Sequence, residues 1–167
     1  MSALDWSAPF EALSEGASFR SRGRTITEAD LVGFSALTGD SHPQHTDAEW
    51  AAAGRFGERI AHGMLIISYA AGLVPFDPAR VLALRRISDV VFKRPARIGT
   101  TIHVAGRIAE LRPVSGEAGL VALQWDVRDG AEALLCRARV EVLWAAEEPV
   151  ASSLEAVLDL PAGVIPC

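Results

Sequence analysis

Within nine residues, Gly39-Asp40-Ser41-His42-Pro43-Gln44-His45-Thr46-Asp47, the chain places two histidines and two acids. Asp40 and His45 stand five apart across Pro43, and a rigid proline turn can aim a carboxylate and an imidazole at one point. That pair suits general acid–base chemistry, in which one group takes a proton while the other gives one. Histidine titrates near neutrality and can serve either way. The same residues also fit a plain polar loop, with Asp40 capping a turn, His42 and His45 solvated, and Asp47 capping the next helix. The histidine spacing matches no known zinc pattern, so no metal is expected. A second segment, Ile60-Ala61-His62-Gly63-Met64-Leu65, opens an apolar run. A glycine at a helix start lets a ligand come close, and the free N–H groups there favour negative charge, such as a thioester oxygen becoming an enolate. Alternatively, His62 and Gly63 only make the turn and its cap.

These segments need elements to hold them. Residues 17–26 alternate loosely and read as a strand. Thr27 caps a helix whose first turn carries Glu28 and Asp30 and whose apolar positions are Leu31, Phe34, Ala36 and Leu37, with Gly39 as the stop. Residues 39–46 form a polar turn that Pro43 keeps from continuing the helix. Asp47 caps a short helix that Gly54 closes, and residues 55–62 form a loop. Residues 63–74 are apolar nearly all round, the pattern of a helix buried on most sides, and Pro75 and Pro78 end it. Residues 81–94, 100–112, 119–128 and 131–144 then carry apolar residues near a period of two. They read as a four-strand meander, with Asp129-Gly130 as a hairpin signal. The order gives an α+β fold with an antiparallel sheet, curved around the helix at 63–74. The parts are an N-terminal arm over residues 1–16 that packs Trp6 and Phe10, one domain over 17–146, and a C-terminal tail over 147–167.

Composition narrows the function. The 167 residues fit one domain and are half hydrophobic, and 16 basic against 21 acidic residues give a formal net charge of -5. That balance gives no reason to expect nucleic acid. Cys136 sits in an apolar run and reads as a small buried hydrophobe, Cys167 is the last residue, and neither has metal-ligand spacing. Residues 1–16 hold acids and no basic residue, unlike a signal peptide, and the longest apolar stretch, Gly63 to Phe76, is too short to span a bilayer. A cytoplasmic protein without a membrane anchor is expected. Lys93, Arg94 and Arg97 cluster near the end of one strand. They could meet the phosphates of a thioester carrier or form a solvated strand edge.

Taken together, the two segments resemble the MaoC-like family of (R)-specific enoyl-CoA hydratases and 3-hydroxyacyl dehydratases. That family carries D-x-N-P-x-H, read here as Asp40-Ser41-His42-Pro43-Gln44-His45, and A-H-G-M-L, complete here as Ala61-His62-Gly63-Met64-Leu65. Val91-Phe92-Lys93-Arg94-Pro95-Ala96-Arg97-Ile98-Gly99 is similar to its F-x-R-P-V-x-x-G-D turn. His42 replaces the motif's asparagine, and Thr100 its acid. The resemblance, over about residues 17–145, implies a single hotdog fold and a hydro-lyase acting on a 2-enoyl or (3R)-hydroxyacyl thioester. It implies Asp40 and His45 as the catalytic pair and the Gly63 N–H in the oxyanion hole. It also matches Ser68 to a serine near the site, with His42 and His62 as further support. Coenzyme A or a carrier-protein phosphopantetheine would enter as part of the substrate, with no separate cofactor and with an acyl carrier protein as an optional partner. A thioesterase of this fold would need a carboxylate on or near the central helix, and residues 63–74 hold none. A non-catalytic acyl-binding or assembly subunit is the alternative from another class. An exposed sheet edge and an incomplete pocket point to a homodimer.

Overall fold

The computed structural model describes residues 2–147; Cys167 and nearly all of the expected C-terminal tail lie outside them. The sheet is antiparallel throughout. It comprises β1 (Ser18–Arg20), β2 (Arg24–Thr25), β3 (Val81–Phe92), β4 (Thr101–Pro113), β5 (Ala118–Asp129) and β6 (Leu134–Ala145), in the order β1-β4-β5-β6-β3, with β2 also on β4. The strand expected over 17–26 is thus two short strands. Between them the Ser21 hydroxyl takes the Val104 N–H at 2.9 Å, so the break is tied to β4 by a side chain.

The expected four-strand meander is corrected. Strands β4, β5 and β6 are joined by hairpins, but β3 pairs with β6 at the far edge, from Val81 opposite Trp144 to Phe92 opposite Cys136. The connection from β3 to β4 contains Pro95 and crosses to the other side of the sheet instead of turning back. On the way the Ala61 N–H donates to the Ala96 carbonyl at 2.8 Å and the Gly99 N–H to the Ile26 carbonyl at 2.8 Å, which ties the crossing to the start of the central helix and to β2. The hairpin after β5 forms where Asp129-Gly130 signals it, yet the left-handed residue is Glu132, with φ 65°. The Asp129 carboxylate accepts the N–H groups of Ala131 and Ala133, both at 2.9 Å, so the turn is organised by an aspartate and not by glycine geometry.

The α-helices among the described residues are α1 (Glu28–Thr38), α2 (Pro43–Thr46), α3 (Ala48–Ala53) and α4 (Gly63–Leu73). The alternation of β5 and β6 sends Val121, Leu123, Trp125, Val140, Val142 and Trp144 into the core, where they join Leu65, Ile66, Ile67, Ala70 and Leu73 of α4. Burying each of the larger side chains contributes about 1.5–3 kcal/mol. The N-terminal arm closes one end, with Trp6 stacked on Trp144 at 5.7 Å and edge-on to Phe19 at 5.0 Å, while Phe10 lies against Gly119. An antiparallel sheet curved around a central helix is the hotdog architecture. The sheet is not closed.

Helix α4 departs from expectation in one respect. Met64, Ser68 and Gly72, one turn apart, form an exposed stripe, and Met64 is 60% exposed. The sheet covers only the opposite side. Nearby, the free edge strand β3 leaves Leu84 51% and Phe92 49% exposed. Among the described residues no helix is long and apolar enough to cross a membrane.

Candidate active site

Helix α1 aims the first site residue. Its start is fixed by a capping box, the Thr27 N–H donating to Asp30 at 2.7 Å and the Asp30 N–H to the Thr27 hydroxyl at 3.4 Å. Burial pushes the Asp30 carboxyl up, but hydrogen bonds from Tyr69, Thr27 and Arg24 outweigh it and hold the group at about 2. Tyr69 lies on α4 and Arg24 on β2, so this carboxylate pins α1 to both. The other end of α1 stops at Gly39, whose φ of 77° suits glycine and turns the chain sharply into Asp40.

The segment after Asp40, expected as a polar turn that Pro43 interrupts, is a single helical turn. Proline is well tolerated at the first helical position, where its missing N–H costs nothing, so Pro43 starts α2 and does not prevent it. His42 is the N-cap, and its Nδ1 accepts the Gln44 N–H at 3.1 Å. An asparagine oxygen would cap the same way, which explains how the imidazole stands at the motif's asparagine position. Its ring meets Trp50 edge-on at 5.5 Å. Asp47 caps α3 by accepting the Trp50 N–H at 2.9 Å.

This turn sets His45 on the wall of a cavity of about 300 Å³, shared with Gly63, Phe56, Ile66, Phe92 and Leu135. His45 Nδ1 lies 2.7 Å from the Ile60 carbonyl oxygen. A carbonyl only accepts, so Nδ1 carries the proton and Nε2 keeps a lone pair. Burial pushes the His45 pKa down most; the Ile60 bond and the Asp40 charge oppose this, and His62 and His42 add to it, leaving it below the ordinary value of 6.5. The ring is therefore neutral and basic at neutral pH.

Asp40 is exposed, and its carboxylate accepts the His42 N–H at 3.3 Å. A carboxylate oxygen of Asp40 and one ring nitrogen each of His45 and His62 all lie within 4.8 Å of one another. A water hydrogen-bonded at both ends bridges about 4.5 Å, so groups this close are within reach of one shared water. The three groups are a poor metal site. His45 and His62 stack with centroids 3.8 Å apart and planes at 28°, so their in-plane lone pairs do not converge on one ion. His62 Nε2 already faces two oxygens, Asp40 O at 3.1 Å and Ser35 Oγ at 3.2 Å.

Gly63 is the first residue of α4 and lines the same cavity as His45. Phe92 lies against it so closely that a Cβ there would be 2.7 Å from the ring. Lys93 and Arg94 also line the cavity, and among the described residues neither side chain has an ion-pair partner. Arg97 does not join them. Its guanidinium is engaged by Glu58 and by the Phe56 carbonyl at 3.3 Å, which fastens the loop before α4. Ser68 also stands apart: its hydroxyl donates back to the Met64 carbonyl at 2.8 Å, and it faces a groove beside α1 lined by Leu37 and Asp30. Cys136 lines the cavity, but burial pushes its thiol up to about 11, far from a nucleophile's range. Sequence reasoning missed the roles of Ile60, Ser35 and Phe56. Of these, Ile60 alone stood inside a segment that had been singled out.

The model of the MaoC like domain matches residues 11–124. Protein MaoC of Klebsiella aerogenes is 42% identical over 96 residues, which cover 57% of this chain and 29% of that one. A 3-hydroxybutyryl-CoA dehydratase of Methylorubrum extorquens is 38% identical over 105 residues, covering 58% of this chain and 62% of that one. The chain thus spans less than two-thirds of either relative. An R-hydratase of Pseudomonas aeruginosa in its unliganded form superposes with a TM-score of 0.67 at 31% identity, over 84% of this chain and 86% of that one.

Proposed function

The chain belongs to the MaoC-like domain family, and on that premise we propose that it reversibly hydrates a 2-enoyl thioester to a (3R)-hydroxyacyl thioester through Asp40 and His45. The observation that carries this reading is that His45, its Nδ1–H held by the Ile60 carbonyl, shares a cavity with the Gly63 N-terminus of α4 and has a ring nitrogen within 4.8 Å of an Asp40 carboxylate oxygen. In the hydration direction the Gly63 N–H donates to the thioester oxygen as enolate character develops. Asp40 and His45 hold the water. Its oxygen bonds to the β-carbon as the double-bond electrons move toward the thioester oxygen and one water proton passes to His45 Nε2. The enolate then collapses as its α-carbon takes that proton back from His45, so the elements of water add across the double bond and His45 is again neutral. Dehydration is the reverse. The names of the dehydratase and R-hydratase relatives support the reaction class. Crotonyl-CoA supplies the test: loss of the enoyl ultraviolet absorbance, with formation of the (3R)-hydroxybutyryl product, is expected. Absence of activity on every enoyl and 3-hydroxyacyl thioester would instead favour a non-catalytic acyl-binding subunit.

Lys93 and Arg94 are suited to the phosphates of coenzyme A or of a carrier-protein arm. Replacing both with alanine is expected to raise KM for a CoA thioester at least tenfold, since even one charge-assisted contact is worth about that much. The corresponding pantetheine thioester, which lacks the phosphates, should be unaffected. An equal rise for both substrates would remove these residues from phosphate binding.

The assembly we propose is a homodimer built on β3. A 12-residue edge strand offers unpaired backbone groups and exposes Leu84, Ile87 and Phe92, the last of which lies against Gly63 at the start of α4. Phe92 also lines the cavity, so a second copy docked there would close the site from its open side. Light scattering should show a dimer at micromolar concentration, and Leu84→Asp should yield inactive monomers. A monomeric parent protein would refute this assembly.

A further inference from the structure

We propose that His62 is a positioning residue that keeps Asp40 and His45 in register with the N-terminus of α4; the proposal rests on the hydratase reading. The side chain is 1% exposed. Its ring is held between Phe34, at 5.0 Å, and His45, against which it stacks at 3.8 Å. The Asp40 backbone oxygen, 3.1 Å from Nε2, can only accept, so Nε2 carries the proton and donates there and toward the Ser35 hydroxyl at 3.2 Å. One imidazole therefore grips the backbone of the proposed acid, presses on the proposed base, and precedes the glycine whose N–H would face the thioester.

The other nitrogen argues for the same role. Nδ1 is buried with no partner among the described residues. A position that needed only bulk would be filled more favourably by phenylalanine, which leaves no polar atom unpaired. The imidazole is accounted for by what Nε2 does. The charged and titratable groups around His45 are Asp40 from the loop after α1, His42 at the cap of its own helix, His62 at the cap of α4, Lys93 and Arg94 from the connection after β3, and the Cys136 thiol of β6.

The variant His62→Phe keeps a stacking ring and removes the donor. It is expected to lower kcat 10- to 100-fold, the cost of misplacing reacting groups by a fraction of an ångström to one ångström, with little change in KM. The acidic limb of kcat/KM should move, because the ring stacked on His45 and the tie to the Asp40 backbone both change. NMR of the imidazole nitrogens in the substrate-free protein reads the same effect without activity: the His45 titration should shift, with less of the Nδ1-protonated form. Unchanged kcat together with an unchanged His45 titration would overturn the proposal. Should His62→Phe fail to fold, Ser35→Ala, which removes one acceptor at a partly buried position, should lower kcat and shift the His45 titration; full kcat with an unaltered titration overturns it equally. If the parent protein is inactive on every enoyl thioester, the hydratase reading falls, while the NMR comparison still decides whether His62 positions His45.

Discussion

Asp40→Asn and His45→Asn are each expected to lower hydratase turnover roughly a hundredfold or more, the range for loss of a general acid or base. Both variants should melt close to the parent protein. Among the described residues the Asp40 carboxylate accepts only a backbone N–H, which an asparagine oxygen also accepts. At position 45 an asparagine N–H takes the place of Nδ1–H and keeps the bond to the Ile60 carbonyl while removing Nε2. The double variant should be little worse than either single one, because either loss leaves the shared water without a partner. The pH profile tests the base separately. His45 works neutral, so protonating it stops the reaction, and the rate falls as pH drops through its pKa. Burial depresses that pKa, so the acidic limb should lie below the ordinary histidine value of 6.5. Full activity in both single variants would sink the assignment, and stability losses without loss of turnover would mark the residues as turn-formers only.

How much of this was legible in the sequence depended on whether the signal was local. The cap at Thr27, the stop at Gly39, the cap at Asp47 and the strand periods over β4 to β6 depend on near neighbours, and they read correctly. Pro43 misled because a proline that blocks one helix is equally suited to start the next. The place of β3 was hidden for another reason. Strand order is set by where the crossing from Lys93 to Thr100 can be tied down, and those ties run to Ala61, Ile26 and Leu135, far along the chain. The site divides the same way. Motif spacing marked Asp40, His45 and Gly63, but it carries no information on direction, and direction separates Lys93 and Arg94 on the cavity wall from Arg97 on Glu58. The central helix read as apolar nearly all round because a core-facing side and a side left open look alike in hydropathy. The stripe of Met64, Ser68 and Gly72 shows that the described chain covers only one of them.

At the start of that helix, Gly63→Ala is expected to cut kcat/KM roughly a hundredfold, comparable to losing one oxyanion-hole donor. Folding should be unaffected or slightly favoured, since alanine is the better helix former and the glycine does not adopt a left-handed backbone. The added methyl would stand 2.7 Å from Phe92 Cζ and 2.9 Å from both Cε atoms. No real side chain tolerates such contacts, so the ring must move. It can, because Phe92 is half exposed at the sheet edge, and this is why the cost should fall on chemistry and not on stability. The displaced ring and the methyl both intrude on the cavity where the thioester oxygen would meet the residue 63 N–H. The two effects separate in the double variant Gly63→Ala with Phe92→Leu, whose shorter side chain clears the methyl. Recovery of most of the activity there would assign the loss to the ring's displacement. Persistent loss, with Phe92→Leu alone remaining active, would assign it to the methyl blocking approach to the N–H. Full activity in Gly63→Ala alone would mean that this N–H does not receive the carbonyl, and the oxyanion site would have to be sought elsewhere along the cavity wall.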